Sequence, residues 1–260
     1  MTARQPFLPV PDPVAFSVFG LDIMWYALFM TGSICIGFIV MYFRAAKKGL
    51  DPEHVLDIAL WCVPAGIICA RAYYVLFRWD YYGADPIQIL NFRGGGMAVH
   101  GSLIGGIGMA LILFRKWKEP ALKWVDLAAV SFPLAQSIGR WGNYFHSEAH
   151  GGPTDLPWAI YADGEFVHPT FLYESIWCLL LFLFLLWFDE SGRKKFDGQL
   201  ICLYLALYSL ERFFVEGLRT DSLMIGALRQ AQVISLVTIA ASCALYLFLR
   251  KRSQNVQNRS

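Results

Sequence analysis

The chain has 260 residues, of which 57% are hydrophobic and 16% charged, with a net charge of +2 at pH 7 and a mean hydropathy of +0.45. This composition is too apolar for an ordinary soluble domain, and so small a charge indicates no nucleic-acid partner. It predicts an all-α, polytopic membrane protein.

The first nineteen residues are rich in proline and contain no apolar segment behind a basic start, so we expect no cleavable signal peptide. Seven later stretches are long and apolar enough to cross a hydrocarbon core of about 30 Å. They lie near residues 22–43, 55–77, 96–114, 124–144, 171–188, 199–217 and 230–249. We predict one membrane domain over residues 1–260, with a small outer loop or head region at residues 145–170.

Basic residues are distributed unevenly between the predicted connections. Fourteen follow the first, third, fifth and seventh spans, whereas five lie on the opposite side. Cytoplasmic loops are enriched in Lys and Arg, so the N-terminus is predicted outside the plasma membrane and the C-terminus in the cytoplasm.

Three arginines, Arg71, Arg140 and Arg212, fall within predicted spans. An arginine at the centre of a membrane helix costs about 3 to more than 10 kcal/mol, so each indicates a functional site, with a structural ion pair as the alternative. Because the spans alternate in direction, the three arginines, Tyr26 and His100 are all predicted near the outer face. A shared depth favours one outer-leaflet site over scattered structural pairs.

Polar residues recur at helical spacing around two of these arginines, in the fourth and sixth spans. The two stripes are Gln136, Arg140 and Asn143, and Tyr208, Arg212, Glu216 and Arg219. Two guanidiniums facing one cavity suit a phosphate, because each is a planar fork of donors that keeps its charge when buried. Glu216 is placed to orient Arg212, and Tyr208 to supply a hydroxyl.

His100 opens a glycine-rich third span, thin enough for a neighbouring helix or a lipid chain to lie close. A lone histidine is as often a packing residue as a catalytic one. Its predicted depth beside the arginines favours a role as proton acceptor.

The outer loop contains several residues of the types that bind zinc, which are His146, Glu148, His150 and His168. The order His-x-Glu-x-His differs from the zinc-protease motif His-Glu-x-x-His, and the Gly-Gly-Pro sequence that follows ends any helix there. A metal site is therefore not favoured. Glu174, at the start of the fifth span, is a candidate partner for one of the arginines.

The segment Gly139-Arg140-Trp141-Gly142-Asn143-Tyr144-Phe145-His146-Ser147-Glu148 resembles a motif of the prolipoprotein diacylglyceryl transferases, Gly-Arg-x-Gly-Asn-aromatic-x-Asn-x-Glu. His146 stands where that motif usually has Asn. Further matches follow in chain order: Trp25-Tyr26, Gly96-Met97, His100-Gly101, Leu103-Ile104-Gly105, His168-Pro169, Leu172-Tyr173-Glu174, and the stripe from Tyr208 to Arg219.

The resemblance implies transfer of the diacylglyceryl group of phosphatidylglycerol to the lipobox cysteine thiol of a prolipoprotein signal peptide, without a cofactor. A thioether forms and glycerol phosphate leaves. It implies catalytic roles for His100, Arg140 and Arg212. The implied lipid-binding residues are Tyr26, Asn143, Glu148, Gly151, Tyr208, Glu216 and Arg219, with Gly151 permitting a loop turn. A thiol made acidic by the arginines would need no base, so the role of His100 stays open.

Two other functions fit parts of this pattern. A transporter or flippase of anions also places arginines in a cavity, but it predicts polar residues at both depths or an internal repeat, and neither is visible. A membrane metallohydrolase would use the loop histidines and would lose activity to chelators.

Overall fold

The apolar stretches form helices, because an α-helix satisfies its backbone hydrogen bonds within one segment. The computed structural model describes residues 5–91, 95–146, 149–220, 224–226 and 228–257. Its helices are α1 (Trp25–Lys47), α2 (Glu53–Phe77), α3 (Trp79–Tyr82), α4 (Val99–Trp117), α5 (Ala121–His146), α6 (Thr170–Glu190), α7 (Gln199–Leu218) and α8 (Gln230–Gln257). Its strands form three hairpins, β1 (Val14–Val18) with β2 (Leu21–Met24), β3 (Ile160–Ala162) with β4 (Glu165–Val167), and β5 (Met224–Ile225) with β6 (Leu228–Arg229).

Long helices occupy all seven predicted span positions, which confirms the all-α membrane class. Five of them, α1, α2, α4, α6 and α8, are both long and apolar enough to cross a membrane. Helices α5 and α7 have 26 and 20 residues, enough to cross at about 1.5 Å per residue, but charged residues interrupt their apolar sequence. The predicted count of seven spans is thus confirmed for five helices. The other two contain Arg140 and Arg212.

The described residues divide into two compact units, one made of residues 41–124 and the other of the remainder. In the 41–124 unit, α2 packs on α4 through the glycines of α4. A Cβ atom on Gly105 would lie 2.5 Å from the Ala65 carbonyl oxygen and 2.7 Å from Cys69 Cβ. Gly101 meets α2 one turn away, so the pair forms a small-xxx-small contact. The surface predicted to admit a helix or a lipid chain is therefore occupied by α2.

In the other unit, α5, α6 and α7 share an apolar core. Its buried members are Ala129, Val130, Leu181, Leu185, Leu200 and Tyr204. Farther toward the C-terminus of α5, the Ser137 hydroxyl donates to the Ser175 carbonyl and the Ser175 hydroxyl donates to the Ser137 carbonyl, each at 2.8 Å. These reciprocal bonds set the height of α6 relative to α5.

Asp126 ties the base of α5 to the first turn of α7. Its carboxylate, 1% exposed, accepts hydrogen bonds from the backbone N–H groups of Gly198 at 2.7 Å and Ile201 at 3.0 Å. A negative charge is favourable at a helix N-terminus. The Lys194 ammonium lies 2.9 Å away. Burial lowers the pKa of Lys194, but Asp126 and Asp197 together raise it by more, so the net pKa is above its usual value. This anchor sets the register between α5 and α7, which run parallel.

The outer loop forms a small head. Asp163 and Gly164 join β3 to β4 with φ of 51° and 86°, as a type I′ turn requires. The hairpin packs with Tyr144 and Phe171 in a small apolar cluster. The N-terminal segment joins this head, since the Phe7 N–H donates to the Ala159 carbonyl at 2.9 Å.

Candidate active site

Two guanidiniums and one carboxylate form the centre of the larger unit. Arg212 Nη1 donates to Glu174 Oε1 at 2.6 Å, and Arg140 Nη1 lies 3.1 Å from Glu174 Oε2. The Glu174 side chain is 1% exposed, whereas those of Arg140 and Arg212 are 20% and 22% exposed. We call Arg140 and Arg212 the arginine pair. The pair holds both oxygens of one anion and still presents an accessible edge.

Further partners from α7 orient each arginine. Arg140 Nη2 donates to the Tyr208 hydroxyl at 3.0 Å, and Arg212 Nη2 lies 2.7 Å from Glu216 Oε2. The ion pair expected from the i, i+4 spacing of Arg212 and Glu216 is therefore present. The Tyr208 hydroxyl binds Arg140 across the helix interface, because α5 and α7 run side by side in register.

The glycines that flank Arg140 bring α1 close to α5. A Cβ atom on Gly142 would lie 3.2 Å from the Tyr26 ring, and one on Gly139 would lie 3.3 Å from Ser33 Oγ. The edge of the His146 ring contacts Tyr26, with ring centroids 5.4 Å apart. The position where the motif usually has Asn therefore makes an aromatic contact here. The structure places Tyr26 beside the C-terminal end of α5, where Asn143 is partly exposed.

Gly151 ties the outer loop to the end of α7. Its N–H donates to the His168 carbonyl at 2.9 Å, and its backbone pairs with Arg219 in an isolated antiparallel bridge. A Cβ atom would lie 2.7 Å from His168 Cβ and 3.1 Å from the Leu218 carbonyl oxygen. The backbone of Gly151 is not left-handed, whereas that of Ala149 is, with φ 61°. Glycine is therefore required for close packing and not for the turn that we expected.

Arg71 lies in the smaller unit and is only 4% exposed. Each of its five N–H groups points to a backbone carbonyl oxygen at 2.5 to 3.0 Å. The acceptors belong to Gln88, Ile89, Asn91, Gly95 and Gly96. The guanidinium also lies over the Tyr82 ring, 5.0 Å from its centroid. Arg71 thus binds the chain between α3 and α4.

His100 lies in the exposed first turn of α4. Its ring centroid is 6.1 Å from that of Tyr73 on α2, and the Ala98 N–H just before α4 donates to the Ala70 carbonyl at 3.2 Å. Helix α2 therefore positions both Arg71 and His100. The convergence of these two residues with Tyr26, Arg140 and Arg212 on one site stays a prediction.

The outer-loop histidines have separate partners. His150 Nε2 lies 2.9 Å from Asp163 Oδ2, and His168 Nδ1 lies 3.2 Å from the Tyr173 hydroxyl. Glu148 lies outside the described residues. Within the described ranges, no three His, Cys, Asp or Glu side chains are grouped as a metal site requires.

Three features of the site were not foreseen from the sequence. Glu174 binds two arginines, where a pair with one was expected. Glu211, on α7 just before Arg212, is 5% exposed, and the Arg229 guanidinium donates to the backbone carbonyl of Glu216. An acidic residue in a membrane span is itself a signal, which Glu211 provides. Arg229 lies in β6, outside the long helices, and carries no such signal.

Comparison with known proteins gives consistent matches. Residues 13–248 match the family model described as prolipoprotein diacylglyceryl transferase. A protein from Clostridioides difficile (strain 630), named phosphatidylglycerol–prolipoprotein diacylglyceryl transferase, is 51% identical over 94% of this chain and 98% of its own length. Proteins of the same name are 46% identical in Finegoldia magna, over 93% and 97%, and 42% identical in Synechococcus elongatus, over 88% and 84%.

Proposed function

We propose that this chain, which belongs to the prolipoprotein diacylglyceryl transferase family, transfers the diacylglyceryl group of phosphatidylglycerol to the lipobox cysteine thiol of a prolipoprotein signal peptide. The bond between the glycerol carbon and the phosphate oxygen breaks, a carbon–sulfur bond forms, and glycerol phosphate leaves. The product is a thioether, and the reaction is the first step of lipoprotein maturation. The enzyme is a multi-pass protein of the bacterial plasma membrane.

One observation supports the assignment of the site: the arginine pair binds both carboxylate oxygens of Glu174. Each oxygen of that carboxylate binds a different guanidinium, at 2.6 and 3.1 Å. A phosphodiester also presents two anionic oxygens, so the accessible edges of the pair suit the phosphate of phosphatidylglycerol. Negative charge builds up on the departing phosphate, which is where preorganised donors lower a barrier most.

The remaining candidate residues support this pair. Glu216 and Tyr208 orient the two guanidiniums, and Tyr26 and Asn143 hold the lipid head group at the outer end of α5. Glu148, which lies outside the described residues, is also assigned to head-group binding. Gly151 and Arg219 hold the outer loop against α7. In this proposal the site opens to the outer leaflet, with the N-terminus outside and the C-terminus in the cytoplasm.

The substrate supplies the nucleophile, so the reaction needs no cysteine of the enzyme. His100 takes the proton of the thiol as sulfur attacks the glycerol carbon. The test is His100→Gln, which keeps a polar side chain but cannot accept that proton at neutral pH. We expect slower single-turnover transfer that recovers as rising pH ionises the thiol; a near-normal rate at pH 7 would reject this role.

The test of the function itself uses the purified full-length chain, phosphatidylglycerol and a lipobox peptide, without added metal. Mass spectrometry should find a peptide heavier by one diacylglyceryl group. A peptide with Ser in place of the lipobox Cys is the matched control and should gain no mass. If the Cys peptide gained no mass and lipid moved between leaflets, the proposed transferase activity would be rejected in favour of lipid transport.

A further inference from the structure

Glu211 is a buried carboxyl beside the arginine pair to which the proposed reaction gives no role. It is 5% exposed, and within the described part of the chain neither of its oxygens has a hydrogen-bond donor. The two other acidic residues of the site differ, since Glu174 forms ion pairs with both Arg140 and Arg212, and Glu216 forms one with Arg212.

The charged groups that act on Glu211 come from three helices. Arg140 lies on α5, Glu174 on α6 and Arg212 on α7 itself. Two uncharged titratable groups, Cys178 and Tyr208, border the same cluster. Helix α8, which also packs on α7, has no Asp, Glu, Lys, Arg or His from residue 230 to residue 249.

The arginine pair already has carboxylate partners without Glu211. Glu174 and Glu216 occupy the two guanidiniums, so a third carboxylate would be a buried anion without a donor. Burial of such an isolated charge is unfavourable, whereas the neutral acid is tolerated. An ionised Glu211 would be a third carboxylate beside the arginine pair, which Glu174 and Glu216 already engage.

From this geometry we infer that protonation of Glu211 controls the affinity of the arginine pair for an anionic lipid phosphate. While Glu211 is the neutral acid, the accessible edge of the pair is available to the phosphate, whereas the ionised carboxylate competes with the phosphate for the same guanidiniums. Glu211 acts through the arginines and is a positioning residue. The inference rests on the proposed function only in taking phosphatidylglycerol as the ligand.

The test measures binding and not turnover, because the substrate thiol itself ionises as pH rises. Short-chain phosphatidylglycerol in uncharged detergent micelles is titrated into the purified chain between pH 6 and 9.5, for the parent and for Glu211→Gln. We expect the Kd of the parent to rise at least tenfold across this range. The Gln variant should keep the low-pH affinity throughout. Glu165→Gln, the same change on the exposed β4 strand, is the control and should behave as the parent.

Equal pH profiles in the parent and in Glu211→Gln, or a flat profile in the parent, would overturn the inference. Glu211→Leu is a second variant that tests the inference if Glu211→Gln does not fold. A carboxyl without partners should be replaceable by an apolar side chain with no loss of thermal stability, and the Leu variant should also bind independently of pH. Failure of both variants to fold would mean that Glu211 makes an essential contact, which contradicts the inference. Binding without transfer by the parent would reject only the proposed function.

Discussion

The arginine pair and Arg71 are neutralised in different ways. Arg140 and Arg212 are compensated by carboxylates and keep side-chain exposures of 20% and 22%. Arg71 donates all five of its N–H groups to backbone carbonyls and is 4% exposed. A carboxylate can be displaced by another anion, whereas backbone carbonyls are part of the fold. The pair is therefore suited to bind substrate, and Arg71 is suited to hold the chain that leads into α4 and His100.

The largest effect is expected from removing one arginine of the pair. Arg140→Ala or Arg212→Ala should slow transfer about 100- to 1,000-fold at saturating phosphatidylglycerol, because each removes a preorganised donor to the departing phosphate. The rate is measured by mass spectrometry of the lipobox peptide. Arg115→Ala, at an exposed position in the last turn of α4, is the matched control. If Arg140→Ala were as active as the parent, the arginine pair would not be the group that binds the departing phosphate.

Substitution of Arg71 is expected to slow transfer less than substitution of the arginine pair, and to change kcat without changing KM. Lysine has three donors, so Arg71→Lys leaves at least two of the five carbonyls without a partner. We expect kcat to fall about tenfold through displacement of the start of α4, with the KM for phosphatidylglycerol nearly unchanged.

The control for this prediction is Arg78→Lys, an exposed arginine just beyond α2. Limited proteolysis between α3 and α4 should be faster in Arg71→Lys and unchanged in Arg78→Lys. A large rise in KM at normal kcat would instead place Arg71 against the lipid.

The smallest effect is expected from one orienting hydrogen bond. Tyr208→Phe removes the hydroxyl that accepts from Arg140 at 3.0 Å, which costs about 1 kcal/mol and slows transfer about fivefold. Tyr204→Phe removes a similar hydroxyl one turn away, bonded to Gln136 at 3.0 Å, and should change the rate less than twofold. Equal effects of the two variants would mean that the hydroxyls serve packing alone.

One contact of the arginine pair could be expected because it depends on local periodicity. Glu216 meets Arg212 through one helical turn. The hydrogen bond from Tyr204 to Gln136 and that from Arg140 to Tyr208 each join residues 68 positions apart. Such pairs depend on the register between α5 and α7, which no single helix encodes.

The partners of Arg71 could not be predicted from any pattern in the sequence. They are backbone carbonyls, which every residue has, so no side-chain pattern could have indicated them. Gly151 is similar, because its need for glycine comes from His168 and Leu218, which are distant in the chain. The expected turn was inferred from glycine's backbone freedom, but close packing imposes the same requirement.

The sequence by itself determined the membrane class, the positions of the long helices, the family motif and the presence of costly arginines, because hydrophobicity and helical period are local properties. The tertiary structure decided which arginines retain an accessible edge, that Glu174 bridges two of them, and that Glu211 has no donor within the described residues. Those outcomes depend on how far each helix is rotated and shifted against its neighbours. A rotation of a fraction of a turn would exchange a bridging carboxylate for an unpaired one.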